Sequence, residues 1–161
     1  TNILKIPEPL IPNMGAKIKD LQNPQRKMSK SFKDEKGIIF MLDQKSTIEH
    51  KISRAITDSD GKIIFNPASK PGISNLIQIY SGLSIQNIEQ KYEHITYDIF
   101  KKELSLLIWN FLEPVQQKYK TFNTNTQYIN KILDKGLEYS LSLSNNKINQ
   151  IKKTIGLNRL K

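Results

Sequence analysis

Apolar residues recur at helical spacing along much of this chain. The longest stripe runs through residues 97–118 and predicts an amphipathic helix, in which Pro114 should produce a kink or end a turn. Similar periodicity predicts a helix after Ser46 or Thr47, which would cap it, and another from about Ser74. Further helices are predicted at 84–93, capped by Ser84, and at 125–143 and 145–157.

Other segments have no helical period. The run GIIFMLD at 37–43 is strand-like by propensity, and KIIFNP at 62–67 predicts a second short extended piece. Four prolines among the first 25 residues forbid a long helix there and favour short extended pieces joined by turns. The predicted fold class is therefore mainly α, with a small helical bundle after residue 32.

Composition limits the class of protein. The 161 residues, 37% of them apolar, suffice for one compact domain with a core, or for one domain and a piece of another. The chain has no cysteine, which excludes disulfides and thiolate metal sites, and its histidines, His50 and His94, lie far apart, so no metal site is expected. No apolar run approaches the ~18 residues of a membrane span, and no signal peptide is visible. We therefore expect a soluble, cytoplasmic protein.

The net charge of +10 is concentrated at both ends of the chain. Residues 1–36 hold eight Lys and Arg against four acids, residues 37–90 five against five, and residues 91–161 twelve against six. Such a field attracts polyanions, including nucleotides and nucleic acids, although basic residues on solvated faces would give the same count.

The heptapeptide RKMSKSF, residues 26–32, is the most distinctive short motif. Lys27 and Lys30 can both reach one triphosphate if the loop curls, and the hydroxyls of Ser29 and Ser31 add hydrogen-bond donors. The glycine-rich cradle of a Walker-type site is absent. From residue types alone, a solvated basic loop remains an alternative.

KMSKS matches, letter for letter, the signature loop of class I aminoacyl-tRNA synthetases. The surrounding segment MGAKIKDLQNPQRKMSKS resembles that of bacterial-type tryptophanyl-tRNA synthetases, as do KISRAITDSDG, NPASKPGISNLIQIYSGLS and FKKELSLLIWNFLEPVQQKY, in the same order. The resemblance covers essentially the whole chain. It implies that residues 1–31 are the last segment of a Rossmann-type catalytic domain with its KMSKS loop. It also implies that residues 32–161 are a helical domain that binds tRNA on the anticodon side.

The resemblance also implies roles for single residues. Lys27 and Lys30 would neutralise the triphosphate of ATP as pyrophosphate leaves during tryptophanyl-adenylate formation. Ser29 and Ser31 would donate to phosphate oxygens, Met28 would pack the loop down, and the backbone of Ile18 would approach the adenine. A final set of basic residues either contacts the phosphates of tRNA(Trp) or forms a solvated face: Lys147, Lys152, Lys153 and Arg159.

Several expectations follow from what the matched segments lack. The HIGH-type motif and the tryptophan pocket precede the KMSKS loop in the family and are absent here, so we expect a C-terminal half that is inactive alone. The complete enzyme would use ATP carrying Mg²⁺, tryptophan and tRNA(Trp), and would be a homodimer. One alternative is a stand-alone helical RNA-binding module. Another is the tyrosine-specific relative, which usually varies Met28-Ser29 and lacks the KPGISNL run.

Overall fold

The computed structural model describes residues 3–12, 15–80 and 82–157. Within them the chain forms five helices and a single 3₁₀ turn, Glu35–Gly37, without a strand. The helices are α1 (Lys45–Ser53), α2 (Pro71–Ile79), α3 (Ile85–Lys91), α4 (Tyr97–Asn123) and α5 (Thr126–Thr154). The prediction of a mainly α protein is confirmed.

The predicted strand at residues 37–43 is wrong. Ile38 is buried, but the chain turns at Phe40, whose N–H donates to the Asp43 side chain at 3.0 Å while its carbonyl accepts from Asp43 N at 3.1 Å. A β-branched run forms a strand only where a neighbouring strand can pair with it, and none lies beside this one in the described part of the chain. The run contributes buried side chains from a loop instead.

The segment 62–67 is irregular, and side chains bind part of its backbone. Phe65 N donates to Glu89 Oε1 at 2.6 Å and Asn66 N to Ser74 Oγ at 2.9 Å. These acceptors satisfy backbone groups that a β ladder would otherwise pair, and no strand forms here.

Two helix starts differ from the prediction. The first residue of α1 is Lys45, preceded by Gln44 without a side-chain cap, so Ser46 and Thr47 lie inside the helix. α2 begins at Pro71 and not near Ser74, because proline at the first helical position loses no hydrogen bond there. α3 is confirmed, with Ser84 Oγ accepting from Asn87 N at 3.2 Å.

The two long helices correct the prediction in different ways. α4 is one continuous helix that includes Pro114 and extends beyond residue 118. The helices predicted at 125–143 and 145–157 form the single helix α5, capped by Asn125 Oδ1, which accepts from Tyr128 N at 3.0 Å. No proline or glycine stands near residue 144, and the low helix propensity of asparagine costs too little to end a helix.

The described residues divide into two compact units. Residues 11–117 form the unit with the apolar core, in which Tyr92 packs edge-on against Phe100 with ring centroids 4.9 Å apart. The fully enclosed aliphatic side chains come mainly from α1, α2 and α4: Ile48, Ile52, Ile73, Leu76, Ile77 and Leu104. Residues 3–10 and 118–157 form the other unit, which includes α5, a helix without a buried residue. The predicted boundary between residues 31 and 32 stays a prediction.

Candidate functional site

The KMSKS segment forms an exposed turn. Phe32 N donates to Ser29 O at 3.2 Å, and Ser31 N approaches Ser29 Oγ at 3.4 Å. The side chains of Lys27 and Lys30 are exposed, and neither ammonium has a hydrogen bond or an ion pair with any described residue. The turn therefore presents two unneutralised cations three residues apart, together with serine hydroxyls.

The N-terminal side of this turn is fixed by backbone pairing with residues 18–20. Met28 N donates to Ile18 O at 3.1 Å, Lys19 and Lys27 form an isolated antiparallel bridge, and Asp20 N donates to Arg26 O at 2.9 Å. The sequence-predicted residues Ile18 and Met28 are thus joined directly.

Asn75 of α2 fixes this pairing to the helical core. Its Oδ1 accepts from Lys19 N at 2.7 Å and its Nδ2 donates to Lys19 O at 2.8 Å, so one amide side chain satisfies both backbone groups of one residue. Asn75 is buried, and sequence reasoning missed it. The available signal was a polar residue within the apolar run of KPGISNLIQI, since buried amides require fixed partners.

A buried carboxylate supports the same segment. Asp20 is fully enclosed, and its Oδ1 accepts from Gln22 N at 2.8 Å and Asn23 N at 3.0 Å. Its Oδ2 accepts from Arg26 Nη2 at 2.8 Å. The 3₁₀ turn leaves just enough room for this group, because a Cβ on Gly37 would lie 2.0 Å from Asp20 Oδ1. Sequence reasoning missed Asp20, which no local pattern distinguishes from a surface aspartate.

An apolar recess of about 380 Å³ adjoins the loop. Met28 packs against the core and lines this recess with Ile18, so both face the same cavity. The remaining walls come from residues 15 and 39–41, from α2 and from α4: Gly15, Ile39, Phe40, Met41, Gln78, Ile79, Leu107, Ile108, Phe111 and Leu112. The described residues therefore form an apolar recess at Met28, the residue next to Lys27.

A second polar cluster lies at the N-terminus of α2. Lys70 Nζ donates to Asp58 Oδ1 at 3.0 Å and to Tyr97 OH at 3.2 Å, and it also contacts Asp60. Burial alone would lower the pKa of Lys70, but hydrogen bonds from its ammonium to Asp60 and Asp58 outweigh burial and raise that pKa above its ordinary value. These carboxylates therefore neutralise a buried lysine. No group of three metal-ligating side chains occurs in the described ranges.

Three of the four predicted tRNA-binding residues belong to α5, far from the loop in sequence. Lys147, Lys152 and Lys153 are exposed, and Lys147 Nζ donates to Ile3 O at 3.1 Å. Arg159 lies outside the described residues. Among the described helices none has the length and apolar character that a bilayer crossing requires.

Comparisons with known proteins agree with the motif. The family described as tRNA synthetases class I (W and Y) matches residues 1–107. Over 98% of its length the chain is 40% identical to the tryptophan–tRNA ligase of Listeria monocytogenes and to that of Oceanobacillus iheyensis. It covers 48% and 49% of these proteins, so it spans about half the length of the curated relatives it matches.

Solved structures show the same fold. The tryptophanyl-tRNA synthetase of Mycoplasma pneumoniae matches with a TM-score of 0.76 and 26% identity, over 89% of this chain and 44% of that one. The tryptophanyl-tRNA synthetase of Campylobacter jejuni matches with a TM-score of 0.60 and 21% identity, over 96% and 47%, which supports the fold alone.

Proposed function

This chain belongs to the class I tRNA synthetases of the W and Y family, and we propose that it supplies the KMSKS loop and the helical domain of a tryptophan–tRNA ligase. The observation that carries the proposal is the free pair of ammoniums, Lys27 and Lys30, on a turn whose base is anchored to the core. Tryptophan is favoured over tyrosine by the 40% identity to tryptophan–tRNA ligases.

The proposed chemistry is electrostatic. In the complete enzyme ATP, carrying Mg²⁺, is the substrate, and negative charge develops on its leaving pyrophosphate. Lys27 and Lys30 stabilise that charge, and the serine hydroxyls donate to phosphate oxygens. The exposed, unpaired ammoniums fit this role, since no carboxylate must be displaced before they bind an anion.

The apolar recess has a matching role. The backbone of Ile18 would approach the adenine ring, as the family resemblance implies, while Met28, which lines the same recess, packs the loop down and the triphosphate extends toward the lysines. No general base is needed from these residues, because the carboxylate of the amino acid is already a nucleophile. The tryptophan pocket, homodimer formation and cytoplasmic location belong to the proposal for the complete enzyme.

The helical domain is proposed to bind tRNA(Trp). The test measures filter binding of the 161-residue chain to tRNA(Trp) and tRNA(Tyr) at 50 and 200 mM salt. Preferential binding of tRNA(Trp) that weakens steeply with salt is expected, because phosphate contacts release counterions. Equal, weak binding of both tRNAs would refute the assignment, whereas tight binding without preference would favour a general RNA-binding module.

The lysines of α5 can be tested in the same assay. Replacing Lys152 and Lys153 by Ala should weaken binding and reduce the salt dependence by about one counterion for each lost phosphate contact. Lys45, equally exposed at the start of α1, gives the matched control, and Lys45→Ala should leave binding unchanged. An equal effect at Lys45 would indicate only a general response to net charge.

The catalytic lysines require the rest of an active site. The isolated chain should show no tryptophan-dependent pyrophosphate exchange. In a hybrid in which this chain replaces the matching half of the Listeria monocytogenes ligase, Lys27→Ala and Lys30→Ala should each lower the exchange rate about 10²- to 10³-fold. The exposed neighbour Lys33 serves as control, and unchanged exchange in the Lys27 and Lys30 variants would contradict the proposal.

A further inference from the structure

We propose that Arg26 is a positioning residue: with Phe32 it forms a clasp that joins the two ends of the KMSKS segment and sets the turn that presents Lys27 and Lys30. The clasp is defined as the contact between the Arg26 guanidinium and the Phe32 ring. The clasp itself does not depend on the proposed function. Only its role in presenting the lysines to a triphosphate rests on that function.

One side of the clasp is fixed by the buried carboxylate. The Asp20 side chain is 1% exposed and already accepts two backbone N–H groups, so it has no freedom to follow a moving partner. Its remaining oxygen holds Arg26 Nη2 at 2.8 Å. A charge-assisted hydrogen bond to an immobile acceptor orients the planar guanidinium.

The other side of the clasp is the ring of Phe32. The carbon at the centre of the Arg26 guanidinium lies 3.8 Å from the ring centroid, well within the ~6 Å of a cation–π contact. Phe32 is half-buried although its neighbours Ser31 and Lys33 are exposed, so the guanidinium provides cover that the surrounding polar turn does not.

The sequence positions of Arg26 and Phe32 determine which part of the chain their contact closes. Arg26 immediately precedes Lys27 and Phe32 immediately follows Ser31, so the clasp closes a loop that consists of KMSKS alone. Opening the clasp removes the side-chain contact at the Phe32 end of that loop, where Phe32 N still donates to Ser29 O, and Met28, the second residue of the loop, donates to Ile18 O outside it. Arg26 itself, occupied by Asp20 and Phe32, is not a third free cation beside the lysines.

The test is amide hydrogen exchange of Met28 in the full chain, followed by NMR. The Met28 N–H is bonded to Ile18 O, and its intrinsic exchange rate depends on Lys27 and Met28, neither of which is altered. Arg26→Ala and Phe32→Leu should each accelerate this exchange about fivefold, which corresponds to about 1 kcal/mol at 1.4 kcal/mol per tenfold. Phe32→Tyr keeps the ring and should retain protection.

The double variant distinguishes a clasp from two separate contributions. If the two side chains act on each other, Arg26→Ala with Phe32→Leu should be no faster than the faster single variant. Unchanged Met28 exchange, or effects that multiply to about 25-fold, would overturn the proposal. Lys33→Ala removes the same charge outside the clasp and should have no effect, and amides in the centre of α4 report whether the fold is retained.

This experiment separates the clasp from the proposed function, because it needs neither nucleotide nor tRNA. Non-additive acceleration together with failure of tRNA(Trp) binding would support the clasp and reject the ligase assignment. Normal tRNA(Trp) binding with unaltered Met28 exchange would reject the clasp alone.

Discussion

Replacement of Asn75 by Ala tests whether the KMSKS turn depends on the helical core. Asn75 is buried in α2 and makes two hydrogen bonds, at 2.7 and 2.8 Å, to the backbone of Lys19, which bridges Lys27. Alanine keeps the helix and removes only the amide. The Lys19 N–H and C=O then lose their partner in a half-buried position.

The magnitude follows from those two bonds. A neutral intramolecular hydrogen bond contributes about 0.5–1.5 kcal/mol, and a backbone group left without a partner costs about 1–3 kcal/mol if water cannot reach it. Because Lys19 is only half-buried, water can bind one of the two freed groups. We therefore expect the free energy of unfolding to fall by about 2–4 kcal/mol.

Urea unfolding followed by the fluorescence of Trp109 measures this loss. Trp109 is the single tryptophan and packs partly buried against the core. Asn87 is an exposed asparagine of α3 and provides the matched control, since Asn87→Ala should change stability by less than about 0.5 kcal/mol. If Asn75→Ala costs no more than that control, the clamp on Lys19 does not stabilise the fold and the reasoning fails.

Two further predictions concern buried and half-exposed carboxylates. Gly37→Ala should lower the free energy of unfolding by at least about 2 kcal/mol, because the alanine Cβ would displace the Asp20 carboxylate. Gly136 has open space around it, so Gly136→Ala should not destabilise the fold and serves as control. Equal urea midpoints for the two variants would contradict the prediction. Glu103 accepts from Tyr92 OH at 2.5 Å and Lys91 Nζ at 3.1 Å, and these bonds lower its pKa. The ionised Glu103 therefore stabilises the fold, by at most about 1 kcal/mol for a half-exposed group, at pH values above the ordinary carboxyl pKa of 4.5. This stabilisation is lost as the pH falls below that pKa. The difference in thermal midpoint between wild type and Glu103→Gln should shrink from pH 7 to pH 3, and a constant difference would refute the assignment.

The helices could be predicted where one face meets the core. α3 and α4 bury Ile88, Phe100 and Leu104, and this burial produces the period that the sequence shows. α5 buries no residue, so its apolar residues carried no such constraint, and the prediction wrongly divided the helix at residue 144. The strand predicted at 37–43 was wrong because propensity could not reveal that no partner strand occurs among the described residues.

Only part of the candidate site could be predicted from the sequence. The cations and hydroxyls are contiguous in KMSKS, so the sequence motif alone identifies them. The groups that hold them are not contiguous: Asn75 stands 56 residues from Lys19, and Gly37 stands 17 residues from Asp20. Their roles depend on distances that exist only after folding: the apolar run around Asn75 indicates a buried amide but not that Lys19 is its partner, and nothing near Gly37 points to Asp20.

Lysine serves two opposite purposes in this chain, and the difference supports the functional proposal. Lys70 is buried and surrounded by Asp58, Asp60 and a tyrosine hydroxyl, so its charge is neutralised within the protein. Lys27 and Lys30 remain exposed, although the adjoining backbone is fixed by the hydrogen bond of Met28 N to Ile18 O and by those of Lys19 to Asn75. A fixed backbone lowers the entropy lost when an anion binds. Ammoniums without a carboxylate partner also remain available to attract that anion. The Asn75 anchor stabilises the fold whatever the loop does, and it also gives a loop that must meet a phosphate group a fixed base.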